Sequence, residues 1–315
     1  MSTRPTVFID GEAGTTGLEI HRRLADRTDI EIVSLPADSR KDPAARRQAL
    51  NEVDLAILCL PDDASREAAA MAAGGRTRLL DASTAYRVDP DWVYGFAEMA
   101  PGQAERIAAA TRVSNPGCYP TGGIALIRPL VEAGVLGADY PVSVHATSGY
   151  SGGGKKLIES YESDPPGADA SPLRYYGLNL EHKHVPELQV HGRLAHRPIF
   201  LPSVGNWRQG MLVAVPLHLR ALARPVSGAD LHGILAAYYE GRKLVRVMPL
   251  ELASKTSLAH LDSEALNGTD LLELFVFAHP AHGQATLVAR LDNLGKGASG
   301  AAVQNMDLML GLNRD

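Results

Sequence analysis

The chain has 315 residues, 45% of them hydrophobic, and its 31 Lys and Arg against 36 Asp and Glu leave a formal net charge of -5. That length exceeds one average domain and suits two, each able to bury a core. A mildly acidic chain whose cations are scattered rather than gathered into a run has no electrostatic footprint for nucleic acid. The N-terminal MSTRPTVFID passes from a short polar lead straight into a strand-like run. It holds no apolar stretch of signal-peptide or membrane-span length, so a cytoplasmic protein without a membrane partner is expected. Cys59 and Cys118 lie in unlike contexts, and in a reducing compartment no structural disulfide is expected between them.

In chain order, Thr6 to Ile9 reads as a β-branched and aromatic strand. The glycine turn Gly11, Gly14 and Gly17 follows, and then a helical pattern through Leu18, Ile20 and Leu24. Further strands are predicted at Ile30 to Leu35, Leu55 to Leu60 and Arg78 to Leu80, with a helix at Ala64 to Ala73. This alternation predicts a doubly wound parallel sheet. After Cys118 a helix runs through Ile124, Leu126, Ile127 and Leu130. Strands then follow at Val142 to Ala146, Met211 to Leu219 and Leu272 to Ala278, the pattern of an α+β second domain. Asp164 to Ser171, rich in proline and small residues, reads as an exposed loop.

Three segments carry chemistry. In DGEAGTTG (10 to 17), glycines three apart let the backbone approach a pyrophosphate at a helix N-terminus, where Gly11, Gly14, Thr15, Thr16 and Gly17 would hold it. The spacing departs from the commoner G-x-G-x-x-G, and a plain tight βα turn is the competing reading. An NAD-binding unit places an acid at the end of its second strand to bond the ribose 2′-OH. Here that position is Ser34, followed by Arg40 and Lys41, so a 2′-phosphate meets a hydroxyl and cations, which favours NADP(H). Ordinary surface cations are the alternative for the latter two.

In SNPGCYPTGG (114 to 123), Cys118 follows an Asn-Pro-Gly turn, and Pro120 marks the first turn of a helix. A helix N-terminus lowers a thiol pKa, and its N–H groups can hold an oxyanion. Cys118 is therefore the candidate nucleophile. Cys59, inside LAILCLP, reads as core packing. In YGLNLEHKHVPEL (176 to 188), His182, His184 and Glu187 are close enough to converge, and His suits general acid/base work. Zinc ligation and a purely orienting role are the other readings of this segment, and no metal is expected. The glycines and hydroxyls of SGYSGGGKK (148 to 156), including Ser148, Gly149, Ser151 and Lys155, suit an anion-binding nest.

Together with DASTAYR, VYGFAEM, FLPSVGNWRQGM and LDNLGKGASGAAVQNM, these segments resemble the shorter subtype of the N-acetyl-γ-glutamyl-phosphate reductases of arginine biosynthesis. That family is related to aspartate-semialdehyde dehydrogenase. The resemblance implies an NADP-binding Rossmann-like domain at 1–117 and a catalytic and oligomerisation α+β domain at 118–292. It also implies that a helix at 293–315 returns to the nucleotide domain and brings Asn293, Lys296 and Gly297 near the cofactor. By the same resemblance Cys118 forms a thioester and His182 is the acid/base. Asn115, Ser148, Gly149, Ser151, Lys155, Tyr176, His184 and Glu187 surround a small acyl phosphate. A homo-oligomer, dimer or tetramer, is implied as well. A reductase of an aspartyl or aminoadipyl phosphate shares this chemistry. A non-catalytic NADP sensor on the same fold would lack the nucleophile.

Overall fold

The computed structural model describes residues 4–40, 42–252 and 260–312, and it divides into two compact units, Met1–Pro116 with Ala298–Asp315, and Gly117–Gly297.

The first unit runs β1 (Thr6–Asp10), α1 (Thr15–Leu24), β2 (Glu31–Val33), α2 (Pro43–Glu52), β3 (Leu55–Leu58), α3 (Asp62–Met71), β4 (Arg78–Asp81), β5 (Val93–Tyr94), α4 (Gln103–Ala109) and β6 (Arg112–Ser114). Its six strands lie in the order β2-β1-β3-β4-β6-β5, all parallel. A parallel strand covered on both faces has no solvent side, which explains the unbroken apolar runs VFI and LAIL. Val7, Ile9 and Ile57 enter one core with Ile20 and Leu24 of α1. Phe8, Ala56 and Leu58 enter the opposite core with Leu50 of α2 and Ala68 of α3.

The second unit begins with α5 (Cys118–Glu132) and continues through β7 (Ser143–Gly149), α6 (Lys155–Glu162), β8 (Leu173–Tyr175), α7 (Val185–His191), β9 (Ile199–Gly205), β10 (Met211–His218), α8 (Gly228–Tyr238), β11 (Val245–Val247), β12 (Glu251–Leu252), β13 (Leu272–His279) and β14 (Gln284–Leu291). The sheet order is β11-β13-β14-β10-β7-β9-β8, with β12 paired to β13, and the mixture of parallel and antiparallel ladders is that of an α+β layer. Along β10 buried residues alternate with more open ones, because one sheet face lies under helices. Nearly all of α5 is buried against β10, β14, α7 and α8. Two glycines permit that approach. A Cβ at Gly122 would lie 2.9 Å from Val213 Cγ2, and one at Gly123 would lie 2.5 Å from Leu188 Cδ2.

The chain then makes a π-helical turn at Gly295–Ser299 and ends in α9 (Gly300–Leu310), which packs against α4, α1 and β4 of the first unit. Among the described residues no helix is long and apolar enough to cross a membrane. The predicted strand at 30–35 shortens to three residues, so Ser34 follows β2 instead of closing it. The strands β8, β9 and β14, together with α2, lie where no element was predicted. Asp164 to Ser171 is a loop.

Arg78 ties the last helix into its unit. Its guanidinium donates to the Met309 carbonyl of α9 and, at the end of α4, to the carbonyls of Ala108 and Ala110. These are C-terminal carbonyls that the helices themselves cannot satisfy. Arg78→Leu is therefore expected to destabilise the fold by about 2–3 kcal/mol. A thermal melt of the variant, read beside the parent, checks this, and an unchanged Tm would refute it.

Candidate active site

The glycine turn leaves β1 at Gly11, whose φ of +91° and whose 2.4 Å clearance between a built Cβ and the Cys59 carbonyl oxygen admit no side chain. At Gly17 a Cβ would lie 2.4 Å from the Gly11 oxygen, so this glycine lets α1 pack onto its own turn. Gly14 is the N-cap of α1, and no side chain caps the helix. The first-turn N–H groups, among them those of Thr15, Thr16 and Gly17, are left to an outside acceptor, which is the property of an anion site. Beside the turn, at the ends of β1 and β3 where the strand order reverses, lies a cavity of about 450 Å³ lined by Gly11, Glu12, Leu35, Arg40, Arg46 and Leu60 among others. Its apolar walls and two guanidiniums fit an adenosine nucleotide.

Arg46 forms a buried, bidentate ion pair with Asp10, at 2.8 Å for the closest atoms. Arg40 and Ser34 do converge, but on a carboxylate. Arg40 Nη2 is 2.6 Å from Glu12 Oε1, and Ser34 Oγ donates to Glu12 Oε2 at 3.2 Å. Lys41 lies outside the described residues. Asn115 sits in this same unit, 2% exposed, donating to the Ala298 carbonyl and accepting from Asn305.

In the second unit Cys118 is the first residue of α5, half-buried. No side chain of its own segment caps the helix. The Gly117 N–H instead donates to Glu187 Oε2 at 2.9 Å, so a carboxylate from the first turn of α7 pins the start of the nucleophile's helix. Glu187 is 1% exposed and lies 4.0 Å from His184 Nε2. Tyr176 donates to the Tyr119 hydroxyl at 3.2 Å, and Tyr119 donates to the Ser203 carbonyl at 3.1 Å. Burial raises both phenols above their ordinary range, and the charge of a Cys118 thiolate adds to each shift. The rings of Tyr119, Tyr176, His182, His184 and Phe200 stack edge to face around one another.

His182 Nδ1 accepts the His184 backbone N–H at 3.1 Å, which places the proton of the neutral ring on Nε2. Burial lowers this imidazole to about 4, with Lys183 adding a smaller push in the same direction. Ser148 and Ser151 are buried, and Gly149 runs so close to the backbone of Arg208 that a Cβ would lie 2.7 Å from it. Asn293 locks this loop, its Oδ1 accepting from the Gly210 N–H and its Nδ2 donating to Ser151 Oγ. Lys296 is 1% exposed, and a Cβ at Gly297 would lie 2.8 Å from Cys118 Cβ. Asn293, Lys296 and Gly297 thus belong to the unit that carries Cys118. Lys155 is apart from this cluster, its side chain 75% exposed and facing Glu159. Cys59 is the chemical opposite of a helix-end thiol, since burial, reinforced by Asp81 and Asp10, pushes it up to about 12. Among the described residues no group of three or more His, Cys, Asp or Glu is placed to hold a metal ion. Sequence reasoning missed Glu12, Tyr119 and Ser203. Glu12 stood inside the motif itself, but nothing local shows that its carboxylate turns toward β2.

A doubly wound unit with a glycine turn, joined to a mixed-sheet unit whose first helix starts at a half-buried cysteine, defines an oxidoreductase of the semialdehyde dehydrogenase class. Residues 6–107 match the semialdehyde dehydrogenase, NAD binding domain, and residues 118–293 match the semialdehyde dehydrogenase, dimerisation domain. The chain is 57% identical over 307 residues to the N-acetyl-gamma-glutamyl-phosphate reductase of Burkholderia cenocepacia, covering 98% of this chain and 97% of that one. It is 58% identical over 310 residues to the enzyme of that name from Brucella ovis, covering 98% and 99%. The chain belongs to the N-acetyl-gamma-glutamyl-phosphate reductase family. Its fold is shared with aspartate semialdehyde dehydrogenase II of Vibrio cholerae, at a TM-score of 0.72, 15% identity and 98% and 99% coverage. It is shared also with the aspartate semialdehyde dehydrogenase of Candida albicans solved with NADP, at 0.63, 13% identity and 99% coverage of both chains.

The environment of His182 has a direct readout. Its NMR titration is expected to have a midpoint near 4, so that the ring is neutral throughout the physiological range. Because the folded value lies below the unfolded one, protonation disfavours the fold as pH falls from about 6.5 toward 4, and above about 6.5 the group has no effect on stability. A midpoint near that of a solvated histidine would refute the buried placement.

Proposed function

We propose that this protein reduces N-acetyl-γ-glutamyl phosphate to N-acetylglutamate 5-semialdehyde and phosphate with NADPH, through a thioester on Cys118. The observation that carries the reading is the start of α5. There a cysteine at an uncapped helix end, its preceding N–H held by Glu187, sits in a unit that also gathers Tyr119, Tyr176, His182 and His184. The helix dipole favours the thiolate. The thiolate attacks the γ-carbonyl, the bond to phosphate breaks, and the departing phosphate takes up a proton from solvent. A thioester carbonyl accepts hydride more readily than a carboxylate does. Bound NADPH supplies that hydride. His182, neutral with its proton on Nε2, donates a hydrogen bond to the resulting oxyanion, which collapses to the aldehyde and expels the thiolate.

Ser148, Gly149, Ser151, Tyr176, His184 and Glu187 are assigned to holding the acyl phosphate, with Asn115 as a further substrate contact. Gly14, Thr15, Thr16 and Gly17 are assigned to the pyrophosphate, Ser34, Arg40 and Lys41 to the 2′-phosphate, and Asn293, Lys296 and Gly297 to the reacting end of the cofactor. The protein works in the cytoplasm as a homo-oligomer. The matched dimerisation domain supports the assembly, as does the apolar edge formed by Leu173 and Tyr175 of β8 with Leu178 and Leu180 beyond it.

Cys118→Ser is expected to fold and lose turnover, because a serine hydroxyl is scarcely ionised near neutral pH, while Cys59→Ser keeps activity. Mild alkylation followed by mass spectrometry should label Cys118 first, and prior labelling of Cys59 with activity intact would sink the assignment. His182→Asn should lower kcat by roughly two to three orders of magnitude, as for a misplaced oxyanion donor, with a smaller change in KM. The assay is NADP+ reduction with phosphate and a panel of semialdehydes. Equal turnover of the aspartate and N-acetylglutamate semialdehydes would overturn the substrate.

A further inference from the structure

We propose that Glu12 is a specificity-determining residue of the nucleotide site, a carboxylate that competes with the 2′-phosphate of the cofactor for Arg40 and Ser34. The inference rests on the assignment of NADP(H) to the first unit. Glu12 lies one residue beyond Gly11, on the turn whose N–H groups face the pyrophosphate. Its two oxygens occupy the two partners that a 2′-phosphate would use, Arg40 at 2.6 Å and Ser34 at 3.2 Å.

Among the described residues the charges lining the cavity sum to zero, from Asp10 and Glu12 against Arg40 and Arg46. Of the two cations, Arg46 is committed, since both oxygens of Asp10 accept from it and its side chain is only 12% exposed. Arg40 is the cation that can be won. Its side chain is 45% exposed, and a pair open to water is weakly held. A dianionic phosphate outbids one carboxylate oxygen for such a guanidinium, because it offers more charge and more acceptors. Displacement still costs affinity, since Glu12 must leave its partners and then stands as a like charge beside the incoming phosphates. When the ribose carries a 2′-OH instead, Glu12 stays in place and can accept that hydroxyl. Glu12 therefore narrows the preference between the two nicotinamide cofactors by opposing one and serving the other, the task that an acid at the end of β2 performs in NAD-binding units.

The test uses the full chain and two ligands that differ only by the 2′-phosphate, adenosine 2′,5′-bisphosphate and 5′-AMP, titrated calorimetrically at low salt. Glu12→Gln is expected to bind the bisphosphate about fivefold more tightly than the parent, while 5′-AMP changes by less than about twofold. Glu12→Ala should move the bisphosphate in the same direction, and the gain should vanish when Arg40→Ala is combined with Glu12→Gln. A parent that prefers the bisphosphate, with variants that gain nothing or lose affinity, overturns the role of Glu12 alone. A parent that binds both ligands equally overturns the NADP(H) assignment and this inference with it.

Discussion

The second unit depends on how closely α5 can lie against its neighbours. A Cβ at Gly122 would crowd Val213 and Ala289, and one at Gly123 would displace the end of the Leu188 side chain, so these glycines let the helix lie close on β10 and α7. Burial of this kind fixes the direction of the helix axis and, with it, the place of the residue at its N-terminus. The same contact with α7 brings Glu187 to the Gly117 N–H, so packing and the hydrogen bond at the cysteine act on one element. Leaving the first turn without a side-chain cap costs the helix some stability. In return its N–H groups remain for a ligand.

Around that helix start the polar groups are nearly all neutral and directional. Tyr176, Tyr119 and the Ser203 carbonyl form a chain of donors and acceptors, and Asn293 clamps Ser151 and Gly210. In a region of low dielectric such a network specifies one arrangement, because each broken link leaves an unsatisfied group. The same environment explains the histidine. Desolvation disfavours imidazolium, so His182 is presented as a neutral donor with its tautomer set by the His184 N–H. The two cysteines show the rule from the other side. Cys59, beside buried Asp10 and Asp81, is held as a thiol, whereas Cys118 meets the positive end of a helix.

The class of fold and the positions of the glycine turn and the cysteine helix were legible in the chain itself. They rest on short-range physics: a continuous apolar run for a strand covered on both faces, a glycine where φ is positive, a proline in the first turn. Such signals need only neighbours in sequence. The short strand β2 and the edge strand β8 were less legible, because three residues carry little periodicity and their pairing is decided by β1 and β9. The strands β9 and β14 were missed for a related reason, since their register is set by partners far along the chain.

What only the tertiary structure decided is which charges meet. The sequence offered Ser34, Arg40 and the absence of an acid at the end of β2 as separate facts. Folding brought the carboxylate of Glu12 to both from the neighbouring strand's turn. It likewise gave Glu187 a backbone partner 70 residues away and set Asn293 to hold a loop through Ser151, while leaving Lys155 in solvent. Local propensity acts through bonds and a few angles, so a one-dimensional string records it. A Coulomb contact or a hydrogen bond depends on a distance of a few ångströms between residues far apart in the chain, and that distance exists only once the sheets have set their registers and the helices have packed.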